Sequence, residues 1–400
     1  MIPLLTVLLL GASAILTIPV GFLFLQVLAS LQVTEEPRLD NGDNSFQVAV
    51  VVPAHNEGSG LVPTIRDIRP QLGARDRLIV VADNCSDDTA AVAAAEGCEV
   101  LVRDDPGRIG KGYALAWAID SLKLAPPDLV VFIDADCRIQ SDMIARLAQA
   151  CNQLKRPLQA CFLMKQAENS PIDHSWAEFA WIIKNWVRPL GLTNLQLPVQ
   201  LMGTGMIFPW EQIQAVPLSS GNLVEDMKLG LDLAAIGSAP LFFPFVVGTS
   251  EFPQTEKGTE SQRLRWVQGH IGIIGAVPKL LLRALFNRNP ALLVLLLDLA
   301  IPPLSLLGLL LALSVVLDLG AALTLRVSTG PVFVAFANSF MFTASIALAW
   351  LKFGRDIISP AKFLLLGPLA IKKVVLYFGM MVGRTASSWI RTDRAKHGPK

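Results

Sequence analysis

Two aspartates one residue apart, Asp134 and Asp136, close a short apolar run in LVVFIDADC (129–137). Paired carboxylates at the end of a buried strand suit a divalent cation, because Mg2+ is held by one or two carboxylates together with substrate phosphates. Such a cation neutralises a diphosphate leaving group. Lys111 stands between Gly110 and Gly112 in RIGKGYAL (108–115), where a helical pattern begins. Backbone N–H groups and an ammonium together favour an anion there. The glycine spacing and the absence of Ser or Thr after the lysine exclude a Walker loop. Polar clusters also follow two earlier apolar runs, PAHNE (53–57) and ADNCSDD (82–88).

Each cluster has a plain structural reading as well, since Asn, Ser, Asp and Thr are favoured in turns and at helix N-caps. Their order along the chain argues for a site. Strands are expected over 46–54, 77–83, 98–102 and 128–136, with helices over 59–72, 87–96 and 111–122 between them. Near-continuous apolar strands alternating with helices predict an α/β domain, a Rossmann-like and mostly parallel sheet covered on both faces. Ligands of such sheets bind beyond the carboxyl ends of the strands. Three acid-bearing loops therefore face one crevice.

The chain has 400 residues, 52% of them hydrophobic and 17% charged, more apolar than a soluble protein. The excess lies at the two ends. Residues 2–33 carry no charged side chain and exceed the roughly 20 residues that a spanning helix needs; a signal peptide would show a basic start and a shorter apolar part. Segments 290–320 and 330–351 predict a second and third span, a transmembrane hairpin within 290–352. Segment 361–383, interrupted by Lys372 and Lys373, reads as interfacial within a 360–400 region that ends in a basic tail. Lys and Arg begin only at Arg38, so the positive-inside rule places the N-terminus outside and the central domain in the cytoplasm of a cell membrane. Five cysteines in a reducing compartment predict free thiols, and their spacing matches no zinc site. A net charge of +1 without a basic patch argues against nucleic acid as a partner.

Over about residues 46–285 the chain resembles membrane-embedded family-2 glycosyltransferases of the GT-A fold, the group of cellulose, chitin and hyaluronan synthases. The ordered motifs are VVPAHNE, ADNCSDDT, DAD, MGTGM, VED and QRLRW. The last matches the family's Gln-x-x-Arg-Trp signature at Gln262, Arg265 and Trp266. The resemblance implies a GT-A domain over 46–256 and an interfacial helix over 257–285. It assigns Pro53, Asn56, Glu57 and Asp83 to the nucleoside of a UDP-sugar. Lys111, Asp134, Gln262 and Arg265 join them around the donor. Asp134 and Asp136 look like the metal motif for Mg2+ or Mn2+, with Asp136 as direct ligand. Asp226 falls where the family has its general base and Glu225 supports it; valine at 224 replaces the family's threonine.

Displacement at an anomeric carbon needs a base opposite the departing diphosphate, to take the acceptor's proton. Asp226, far along the chain from the metal acids, suits that place, although an acid in a helix's first turn is also favoured by the macrodipole alone. Small residues Gly203 and Thr204 in QLMGTGMIF suit close approach to a sugar. Arg265 suits a diphosphate, and Trp266 offers an apolar face to an acceptor ring or marks the membrane boundary. The aromatic face of 174–191 reads as packing or shallow membrane contact, and His270 receives no role. The expected reaction is inverting transfer from a nucleotide-sugar to a growing polysaccharide at the membrane. Three spans are few for an export pore, so a polymer would need an oligomer or a separate exporter. Single transfer to a lipid, as in ceramide glucosyltransferases, and a membrane-tethered nucleotidyltransferase are the alternatives. The latter would not need Asp226 or the Gln-x-x-Arg-Trp set.

Overall fold

The structure, a computed structural model, describes residues 2–39, 46–167, 172–219, 224–365, 373–377 and 379. Helix α1 (Ile2–Ser30) leads into strand β1 (Val48–Ala54), buried at every position. Residues 48, 50 and 52 of β1 join one apolar core and residues 49 and 51 another. A period of two with both sides apolar is what a central strand needs when helices cover both faces. The alternation continues with α2 (Val62–Ile68), β2 (Arg77–Asp83), α3 (Thr89–Ala95), β3 (Glu99–Arg103), α4 (Lys111–Leu122) and β4 (Leu129–Phe132). In α4, Ala114, Leu115, Ala118, Ile119 and Leu122 form the buried stripe of an amphipathic helix.

Then come β5 (Arg138–Ile139), α5 (Met143–Leu154), β6 (Leu158–Lys165), β7 (Met206–Pro209), α8 (Trp210–Ile213), α9 (Glu225–Ala235) and β8 (Leu241–Glu251). The eight strands make one sheet in the order β3-β2-β1-β4-β7-β6-β8-β5. Strands β3, β2, β1 and β4 are parallel, β7 is antiparallel to both its neighbours, β6 and β8 are parallel, and β5 closes the edge antiparallel. The expected α/β architecture, a mostly parallel sheet, is present. One boundary differs: β4 ends at Phe132 rather than at 136. Past it Ile133 N still donates to Val51 O at 3.1 Å, and Cys137 N donates to Asp134 O at 3.1 Å. The two aspartates therefore lie on a turn, free of the sheet's ladder.

Between β6 and β7, α6 (Ser175–Ile182) passes through a π-helical turn, Ile183–Val187, into α7 (Arg188–Asn194). Phe179, Ile183 and Val187 are buried there against residues of α1 and the C-terminal helices, which is packing, one of the two roles expected of this aromatic face. The approach of α7 to α1 is close: a Cβ at Gly191 would stand 1.9 Å from Gln26 O. Beside it Arg188 Nη2 donates to Asp298 Oδ1 at 2.8 Å, and Gln26 Nε2 donates to the same oxygen at 2.6 Å.

After β8 follow α10 (Glu256–Ile274), α11 (Val277–Phe286), α12 (Pro290–Leu299), α13 (Leu304–Leu325) and α14 (Gly330–Ala349). Among the described residues three helices are long and apolar enough to cross a membrane: Ile2–Ser30, Leu304–Leu325 and Gly330–Gly354. The expectation of a single span over 290–320 is corrected. Helix α12 has 10 residues, about 15 Å of rise, and a break at 301–303 separates it from α13. Pro302 and Pro303 lack the N–H groups that would carry a helix onward and disfavour helical backbone before them. Helices α10 and α11 meet at a 45° bend and together also have the length and apolarity of a span. The basic tail and most of the segment expected to be interfacial at 361–383 lie outside the described residues.

Candidate active site

The carboxyl end of β1 and the loop after β2 are tied together. Asn56, at φ 55°, adopts left-handed backbone that asparagine tolerates, and its Oδ1 accepts from Ser86 N at 2.7 Å. Glu57 N and Gly58 N both donate to Thr89 Oγ1 at 2.9 Å. His55 Nδ1 donates to Asp83 O at 2.7 Å. Asp83 is fully buried, its Oδ1 accepting from Arg103 Nη1 at 2.5 Å and Asn84 Nδ2 at 3.1 Å. Its Oδ2 is buried with no hydrogen-bond partner among the described residues, an acceptor that calls for an incoming N–H. Arg103 lies 5.6 Å from the Tyr113 ring centroid and was not singled out by sequence reasoning. Its signal was slight, a cation closing a strand beside the polar loops. Pro53, the penultimate residue of β1, pairs in register with Val81.

On the other side of the crevice, Lys111 opens α4 and bridges three segments. Its Nζ donates to Gly203 O at 2.6 Å, pairs closely with Asp134 Oδ1, and lies 3.8 Å from Glu225 Oε1. Burial alone would push the lysine's pKa down, but the Asp134 and Glu225 carboxylates outweigh it and hold it above the usual value. Asp226 adjoins them: a Cβ at Gly203 would stand 3.5 Å from Asp226 Oδ2 and 3.6 Å from Lys111 Nζ. Gly203 has φ +90°, a conformation that disfavours side chains, so only glycine lets this loop pass beneath the cluster unstrained. Burial, opposed by Lys111 and reinforced by Asp226, raises Glu225 to about 7. Asp226 is raised too, first by burial. The pair thus holds its negative charge less readily than free carboxylates do, while cations limit the rise.

Asp134 N donates to Thr204 Oγ1 at 2.9 Å, and Thr204 is 2% exposed. The buried Thr204 hydroxyl therefore braces the turn that carries Asp134, whereas the sequence placed it facing an acceptor. Ser250 Oγ donates to Asp136 Oδ2 at 3.3 Å. Ligand atoms of Asp134, Asp136 and Cys137 lie within 4.8 Å of one another. The donor set fits a hard cation through its two carboxylates. Cys137 does not extend it, since burial pushes its thiol up to about 12 and a hard ion prefers oxygen.

Helix α10 brings Gln262, Arg265 and Trp266 to this end of the domain. Its N-cap Thr255 accepts from Gly258 N at 3.1 Å. Gln262 is buried, and Arg265 is within electrostatic reach of Glu225. The Trp266 ring lies 4.7 Å from that of Trp181, tilted by 43°, so α6 covers part of the face expected to receive an acceptor ring. Lys184, in the π-helical turn, was also missed. Its ammonium lies 5.4 Å from the Trp181 centroid and within electrostatic reach of Asp226. A lone lysine among aromatics was its only signal in the sequence.

Residues 46–269 match the family described as glycosyltransferase like family 2. Among curated proteins, glucosyl-3-phosphoglycerate synthase of Mycolicibacterium smegmatis is 30% identical over 194 residues, covering 44% of this chain and 61% of that protein. The synthase of the same name from Mycobacterium tuberculosis is 41% identical over 95 residues, 22% of this chain and 28% of that protein. The chain thus spans less than two thirds of the length of these curated relatives. A solved mannosyltransferase from Pyrobaculum calidifontis, in complex with GDP-Man and Mn2+, superposes with a TM-score of 0.54 at 17% identity, covering 86% of this chain and 98% of that one. That likeness is one of fold.

Proposed function

This chain belongs to the glycosyltransferase like family 2, and from that premise we propose that it moves a sugar from a UDP-sugar to an acceptor hydroxyl at a membrane surface, with inversion and with Mg2+ or Mn2+. The observation that carries the reading is the convergence of Lys111, Asp134 and Glu225 beside Asp226. Residues far apart in the chain meet there with opposite charges, on the side of the crevice facing the ordered loops of β1 and β2.

In this reading Asp83 Oδ2 accepts the N–H of the base, with Pro53, Asn56 and Glu57 forming the nucleoside wall. Asp134 and Asp136 hold the cation, which when bound neutralises the diphosphate. Lys111 and Arg265 direct positive charge at the same leaving group, with Gln262 bracing the helix. The acceptor oxygen forms its bond to the anomeric carbon as the bond to the diphosphate breaks. Asp226 takes the hydroxyl proton and Glu225 shares the charge. Gly203 leaves room beside the reacting sugar, Thr204 positions Asp134, and Trp266 borders the acceptor.

Three apolar helices support a membrane-embedded enzyme, with the catalytic domain over 46–256, the Gln-x-x-Arg-Trp helix over 257–285, and a cytoplasmic orientation by the positive-inside rule. A growing polysaccharide is the acceptor that the signature favours. Single transfer to a lipid acceptor is favoured by the partial cover of Trp266 by Trp181, which narrows any platform for a long glycan. Membranes containing the protein, given labelled nucleotide-sugars and Mg2+ or Mn2+, distinguish the two. Large water-soluble, glycosidase-sensitive product supports the polymer, and organic-extractable label supports the lipid. Absence of any transfer or donor hydrolysis across the donor panel would overturn the reading.

A further inference from the structure

A cavity of ≈ 20 Å³ is lined among others by Lys184, Asn185, Gln200, Met202, Met227 and His270. Its volume holds about one water-sized group. Met202 precedes Gly203 and Met227 follows Asp226, so the cavity adjoins the place where an acceptor would be deprotonated. Two of its side chains are amides whose nitrogens are already engaged. Asn185 Nδ2 donates to Phe162 O at 3.3 Å and Gln200 Nε2 to Leu295 O at 2.8 Å. Turning either amide over would set its oxygen against a backbone carbonyl, so each orientation is dictated by its partner. The oxygens that remain, Asn185 Oδ1 and Gln200 Oε1, are buried without a hydrogen-bond partner among the described residues. Gln200 Oε1 lies beside the helix that carries the candidate base: a Cβ at Gly230, one turn beyond Asp226, would stand 3.6 Å from it.

Two buried carbonyl oxygens demand a donor. A hydroxyl supplies one and fits the volume; a phosphate or carboxylate oxygen supplies none and would meet the oxygens with like partial charge. The cations do not reverse this. Arg188 and Lys184 both line the cavity, but Arg188 is bound by Asp298 and Lys184 is within electrostatic reach of the Asp226 carboxylate. Resting on the glycosyl-transfer reading above, we propose that this cavity receives a second hydroxyl of the acceptor, read by Asn185 and Gln200. The acceptor is then a polyol, the sugar or glycerol unit of a glycan end or a lipid headgroup, and not a lipid phosphate.

The test uses the full chain in detergent, the labelled donor that supports turnover, and four probes with the same C12 chain: dodecyl β-glucoside, 1-lauroylglycerol, dodecanol and dodecyl phosphate. The expected kcat/KM is at least tenfold higher for the glucoside or the glyceride than for dodecanol, with the phosphate at background. Whichever of the two polyols leads identifies the source of the hydroxyl. Gln200→Met, and Asn185→Leu should that variant not fold, is expected to erode the preference over dodecanol about tenfold through KM. Efficient labelling of dodecyl phosphate would overturn the proposal. So would an intact preference in a variant whose thermal midpoint falls, because the cavity would then hold only a structural water. Neither hydrolysis nor transfer with any donor would overturn the transferase reading itself, and this proposal with it.

Discussion

The two walls of the crevice differ in how their polar groups are satisfied. On the side of β1 and β2 the loops after the two strands bond to each other, and Asp83 and Arg103 form a buried ion pair at 2.5 Å. On the side of α9 the carboxylates are raised by burial, and the amide oxygens of Asn185 and Gln200, two residues that line the neighbouring cavity, have no hydrogen-bond partner among the described residues. The first wall is assembled before any ligand arrives and costs little reorganisation when one binds. The second carries more unmet hydrogen-bonding capacity, two amide oxygens against Asp83 Oδ2 on the first among the described residues, and that is where recognition of a variable partner is strongest. A site that expects a hydroxyl discriminates against molecules lacking it because its own groups would otherwise stay unpaired.

The contrast is broken most directly by exchanging the two kinds of carboxylate function. Asp226→Asn should lower transfer by about a thousandfold, within the range for losing a general base, while calorimetry still detects donor binding. Asp136→Ala should instead weaken metal-dependent donor binding. Equal loss of binding in both variants would mean that the two walls act as one. A smaller effect is expected from Arg103→Met. Removing one partner of a buried ion pair costs about 3–5 kcal/mol, so the variant should unfold at a lower temperature and lose donor binding. Retained acceptor preference in whatever activity survives would sharpen the division.

The gentlest probe is pH. Glu225 sits at about 7 against an ordinary 4.5, first because of burial. A raised carboxyl contributes stability that is complete below 4.5 and is lost as pH rises through about 7. The negative charge that helps the base appears over the same interval. Thermal stability should therefore fall, and kcat rise, as pH climbs between those two values. The apparent pKa belongs to the Glu225 and Asp226 pair. Glu225→Gln should flatten the stability limb; an unchanged limb would assign it to another group.

Much of the wall built by β1 and β2 was legible in the order of residues. Strand β1 is apolar at nearly every position because both faces are covered, and such runs announce a central parallel strand with its loop at the ligand end. The acids of DAD and VED stood out against those runs for the same reason. The break before α13 was masked by its apolar surroundings, although Pro302 and Pro303 mark it. Thr204 read as a small residue facing a sugar, and only its bond to Asp134 N reveals a brace.

Hydrophobic period, turn chemistry and motif order are local properties, so the chain alone specified a covered sheet, three apolar helices and a set of acids at one edge. Which groups meet is not local. Lys111 reaches Gly203 across 92 positions, and Lys184 comes to face Asp226 only because α6, α9 and the sheet pack in one particular way. Charge shifts and unpartnered oxygens arise from that burial, and burial exists only once the chain is folded.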